Sequence, residues 1–168
     1  MDKNEMPALD HAGIKRDRDR LLNCKSLIVT TSLADKIPEI GTAPFIRHYN
    51  YLYIYSSHLS KHTRVLLETK KAQFMLCQDE SDAQNIWARH RLKFTAHIVE
   101  IARDDASFPL LCDKFEAAFG STMGLIRDFA DFHMLRLEPF SGVLVLGFAK
   151  AFEVQGANFE IVSHLRSA

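Results

Sequence analysis

Residues 51–66 read YLYIYSSHLSKHTRVL, and this stretch decides the fold. Tyr51, Tyr53, Ile54 and Tyr55 have strong strand propensity, so the segment opens as a strand. Ser57 is a suitable N-cap, and Leu59, His62 and Leu66 recur at helical spacing behind it. A strand running straight into a short helix gathers His58, Lys61, His62 and Arg64 at the mouth of a sheet. Helix N-terminal amides there favour an anion, so the junction suits a ligand with acidic groups and an apolar body.

Working outward, residues 1–7 are expected to be loose, and Ala8–Cys24 reads as a charged helix leading into the sheet. Strands are expected at Ser26–Ser32, Thr42–His48, Lys71–Gln78 and Arg91–Ile101. In the last of these Leu92, Phe94, Ala96 and Ile98 alternate onto one side. Ser107 starts a helix whose stripe is Phe108, Leu111, Cys112, Phe115 and Phe119, and Gly120 ends it. Ser121–Arg127 is expected to add a short second helix. Phe132–Leu137, Val143–Phe148 and Ala151–Val154 read as closing strands, with a hairpin turn at Ser141-Gly142. Residues 155–168 read as a tail. Many short strands and few helices mean an antiparallel barrel, mainly β with flanking helices, in the α+β class. VLVLGF and YLYIY are apolar on both faces, and so few helices leave a face to cover. A second copy of the chain is the simplest cover.

The 168 residues, 47% of them hydrophobic, are enough for one domain with a real core. Twenty-one basic and 21 acidic residues balance, which argues against a nucleic-acid partner. The KRDRDR run alternates in sign and reads as a solvated helix face. Cys24, Cys77 and Cys112 are too few and too scattered for a disulfide framework, and read as thiols in a reducing compartment. Residues 1–22 lack a signal-peptide core, and no apolar run reaches membrane-spanning length. A cytoplasmic location without a membrane partner is expected.

The ordered segments SLIVTTS, APFIRHYNYLYIYSSHLSKHTRVL and AQFMLCQDESDAQNIWARHRLKFTAHI resemble the split-barrel family related to pyridoxamine phosphate oxidase. With DFADFHMLRLEPFSGVLVLGFAKAFEV (128–154), the resemblance is to its HutZ/HugZ-type heme-utilization branch. It spans about residues 20–155, carried by segment order and spacing rather than by any one motif. It implies an FMN-binding split-barrel-like fold over residues 1–168, with 1–24 as an N-terminal arm. It also implies a homodimer with ligand sites between subunits.

The same resemblance puts a heme-iron histidine in the C-terminal segment, making His164 of IVSHLRSA the candidate ligand; a solvated tail histidine is the other reading. Metal-bound imidazoles usually donate their second N–H to a carboxylate or carbonyl, and Asp131 is proposed for that role. Asp128 is its rival, and local backbone capping is the alternative reading for Asp131. Arg91 matches the basic residue that the family shows at the head of its long strand. It could pair with a propionate or polarise oxygen, or else bridge the acidic loop 79–82. Lys61, Arg64 and His90 are further propionate partners, and His62 supports the pocket or the interface. His58 and His62 are four apart but lack a third metal ligand. Trp87 and Phe94 are candidates for an apolar heme face or for plain core.

The implied function is oxidative opening of heme to a linear tetrapyrrole with release of iron, using O₂ and an electron donor. A non-enzymatic heme carrier or store uses the same residues. A third reading is an FMN-dependent oxidoreductase, with Ser57, Ser60, Lys61, Thr63 and Arg64 around the phosphate.

Overall fold

The computed structural model describes residues 10–165; the start expected to be loose lies outside the described residues. Its helices are α1 (His11–Leu22), α2 (Lys61–Thr69), α3 (Phe108–Phe119) and α4 (Thr122–Ile126). The strands are β1 (Ser26–Thr31), β2 (Glu39–His48), β3 (Tyr51–Ser57), β4 (Lys71–Cys77), β5 (Arg91–Ile101), β6 (Phe132–Val145), β7 (Ala151–Gln155) and β8 (Glu160–Leu165).

All pairings are antiparallel, in the order β3-β2-β1-β4-β5-β6-β7-β8, and β6 also returns to β3. That return closes a six-stranded barrel, with β7 and β8 extending outward from β6. The 14-residue β6 serves two neighbours in turn. Phe132–Leu137 pair with β3, whereas Ser141–Val145 pair with β7. Pro139, which has no N–H to donate, sits between the two halves, next to Phe140, the β6 residue left unpaired where the register shifts opposite Thr95 and Ala96.

The expected alternation of β5 is present, and Leu92, Phe94, Ala96 and Ile98 point into the barrel. Phe74 and Phe94 stack there at 5.4 Å, so Phe94 is core and cannot face a ligand outside. A second apolar cluster lies outside the barrel, where Tyr53 and Tyr55 of β3 meet Phe108, Leu111 and Phe115 of α3 and Met123 of α4.

Several expectations are corrected. The outer face of YLYIY is covered by α3 and α4, with no need of a second copy. Ser141-Gly142 is no hairpin turn, because β6 runs through it. A Cβ on Gly142 would lie 2.4 Å from the Lys93 carbonyl oxygen, so glycine is there for close approach of β5 and β6. The tail contains a strand, β8, paired with β7. Ser57 does not cap α2; Ser60 precedes it, and Leu59 lies before the helix, 82% exposed. The buried residues of α2 are Thr63, Val65 and Leu66.

Candidate functional site

The end of β3 and the start of β6 are neighbours, since Ser57 pairs with Phe132. This brings Asp131 beside the β3–α2 junction. Ser57 Oγ donates to Asp131 Oδ2 at 2.5 Å, and the His58 N–H donates to the Asp131 carbonyl at 2.6 Å. The same Ser57 Oγ accepts from the Leu59 N–H at 3.0 Å. Asp131 is thus fixed to β3 from both its side chain and its main chain. Its rival Asp128 is exposed.

The segment that carries Asp131 is clamped from behind. Arg103, just past β5, donates to the carbonyls of Arg127 (3.0 Å), Phe129 and Phe132 (3.0 Å). The Tyr55 hydroxyl donates to the Arg127 carbonyl at 2.8 Å. These contacts span more than twenty residues, and no local pattern announces them. Beside Asp131, His133 Nδ1 lies 2.6 Å from Glu100, and the His58 and His133 rings are 5.4 Å apart.

The basic residues of the junction are mostly engaged. Lys61 forms an ion pair with Glu39. Arg64 donates to the carbonyls of His58 (2.8 Å) and Leu59 (2.9 Å). His62 packs over Gly41, where a Cβ would stand 2.4 Å from its ring Nδ1. Burial lowers the His62 pKa, against a smaller raising effect of Glu39, and among the described residues its buried Nε2 has no partner. Among the described residues no group of three His, Cys, Asp or Glu side chains is placed to hold a metal ion, so His58 and His62 make no such site.

Arg91 heads β5, where its guanidinium donates to the Arg89 carbonyl at 3.1 Å. The bridge to the acidic loop is made by Arg89, 3.0 Å from Glu80. Arg91, Val145, Ala151 and Leu165 are register partners in one row across β5 to β8 and share a face. The next row is Leu92, Leu144, Phe152 and His164, on the opposite face. Arg91 and His164 therefore stand at one end of the sheet but on different sides of it. Trp87 is 81% exposed in a short 3₁₀ turn.

His164 stacks on Phe152 at 5.0 Å, and its Nε2 lies 2.8 Å from the Ala149 carbonyl oxygen. A carbonyl only accepts, so Nε2 is the donor in this contact. Among the described residues Nδ1 is buried without a partner. Asp131 is far from it: β6 separates their positions by roughly 40 Å along the strand.

No family model matches the chain. It is 29% identical over 141 residues to the heme oxygenase HutZ of Vibrio cholerae serotype O1, covering 84% of this chain and 80% of that protein. The crystal structure of Vibrio cholerae HutZ, described as a heme storage protein, matches with a TM-score of 0.71 and 27% identity. The match covers 82% of this chain and 96% of the other. Campylobacter jejuni ChuZ matches with a TM-score of 0.82 and 26% identity, over 97% of this chain and 65% of that one. A Clostridium acetobutylicum protein of the pyridoxinephosphate oxidase family, at 16% identity, shares the fold with a TM-score of 0.64, over 85% of this chain and 94% of that one.

Proposed function

We propose that this chain, a HutZ homologue with the split-barrel fold, binds heme as its substrate and opens the ring oxidatively, releasing iron and a linear tetrapyrrole. The observation that carries the reading is the state of His164. Its hydrogen bond to the Ala149 carbonyl is a single exchangeable contact, and among the described residues the other ring nitrogen has no partner. That is the chemistry of an imidazole able to ligate iron. Bound heme supplies the oxygen chemistry itself, with electrons from an external donor.

The chain's own residues then have three tasks. His164 gives up the Ala149 carbonyl, at a net cost of about 1 kcal/mol, and turns a nitrogen outward. β8 permits this because among the described residues it pairs on one side only. Asp131 accepts the second N–H of that imidazole and keeps it oriented and basic. Within one chain the two are a strand's length apart, so the Asp131 that serves a given His164 belongs to a second copy in a homodimer. Arg91 supplies a guanidinium that makes no ion pair among the described residues, suited to a propionate or to developing negative charge. Lys61 and Arg64 can join it by exchanging their present partners, an exposed ion pair and two carbonyls, both cheaply replaced. His62 supports the junction through its packing on Gly41.

Titration with hemin tests this reading. A Soret band typical of histidine ligation is expected for wild type and its loss for His164→Ala, with ascorbate turnover yielding a tetrapyrrole. Unchanged ligation in the variant removes His164. Bleaching without a tetrapyrrole, or no turnover, favours the second reading, a heme store, which the description of the HutZ structure supports. An FMN-dependent oxidoreductase has the shared fold in its favour, and a yellow purified protein would point to it.

A further inference from the structure

A groove of about 520 Å³ runs between the C-terminal end of α1, the Phe45–Arg47 end of β2 and the last turns of α3. Lys25, Arg47 and Lys114 line it together with exposed Ala117 and Ala118 and a buried apolar floor of Leu22, Phe45 and Ile46, and among the described residues no carboxylate takes part. The chain as a whole balances 21 basic against 21 acidic residues, so this is a local surplus.

The surplus is unquenched. Among the described residues none of the three cations forms an ion pair. The carboxylates nearest Lys114 on α3, Asp113 and Glu116, are both taken by Arg127, at 2.9 and 3.4 Å. Two helix C-termini border the groove, each worth roughly half a negative charge, which leaves it net positive. The neighbouring His48 has a lowered pKa, from burial first and from Lys114 second. Like charges held together favour whatever neutralises them. The volume is that of a small-molecule pocket, and a bare inorganic anion would leave the apolar floor wet.

We propose that this groove binds an organic anion, a compact apolar body bearing a carboxylate or phosphate. The site is separate from the heme residues: His164, Asp131, Arg91, His62, Lys61 and Arg64 are all absent from its lining. Arg47 lies opposite Leu52, which is roughly 16 Å along β3 from Ser57.

The full-length protein is titrated with anilinonaphthalene sulfonate, an aromatic anion of suitable size, and with uncharged phenylnaphthylamine. The sulfonate is expected to bind at one salt-sensitive site per chain, and R47Q/K114Q to weaken it about tenfold. Phenylnaphthylamine binding, hemin titration and circular dichroism are expected to be unchanged in that variant. A118W, which fills the groove from an exposed position on its wall, should abolish sulfonate binding while retaining both cations. Benzoate and phenyl phosphate as competitors identify the preferred head group. Equal sulfonate affinity in wild type and R47Q/K114Q overturns the proposal, as does full binding by A118W or failure of both competitors.

Discussion

Asp131 shows how much a single carboxylate can depend on its supports. Ser57 and the His58 amide hold it, and Arg103 fixes the loop behind it. Asp131→Asn is expected to keep heme binding but slow ring opening roughly 10–100-fold, measured as tetrapyrrole formed per bound heme. His62 gives a different residue-scale signature. Its folded-state pKa lies below its ordinary value, so the unfolded chain takes up that proton first as pH falls. Stability is therefore unaffected well above the ordinary value near 6.5 and declines as pH drops through it, levelling off below the folded-state value. His62→Gln is expected to shrink the fall in Tm between pH 7 and 5. His48, shifted the same way, should make the double variant flatter still. The chemistry of these residues was legible in the sequence, whereas their partners were not. Arg103 reaches 24 to 29 residues along the chain, and neither periodicity nor composition registers a contact of that range.

At the scale of elements, what could be read was whatever had a period. The alternation in Arg91–Ile101 gives β5 its bounds, and Ser107 with Gly120 brackets α3. Punctuation residues misled. Ser141-Gly142 reads as a hairpin turn, yet β6 runs through it: Pro139 marks the change of neighbour, and Gly142 admits the Lys93 carbonyl. Gly142→Ala is thus expected to destabilise by about 1–3 kcal/mol in urea unfolding, since the obstruction is backbone and cannot turn aside. β8 escaped notice because its sequence, EIVSHL, is mostly exposed and shows neither alternation nor a continuous apolar run.

For the whole molecule, the barrel class followed from counting strands, but the closing of β3 on β6 is a non-local fact. The question of covering surfaces divides in the same way. Helices α3 and α4 dress the outer face of β3, whereas Val143 and Val145 remain half-buried and Phe148 is 70% exposed. An apolar stripe of that kind is suited to a second copy, and a homodimer is expected in solution by light scattering. Phe148→Glu should shift the mass toward monomer with circular dichroism unchanged. If His164 and Asp131 do meet across subunits, heme ligation should weaken in parallel.

β6 stays bonded to β5 on both sides of Pro139, so the barrel wall does not open there. The outermost strand, β8, by contrast hangs from β7 alone among the described residues. That strand is the molecule's shutter, and the imidazole rides on it, so a large flat guest is admitted at the margin while the wall behind stays sealed.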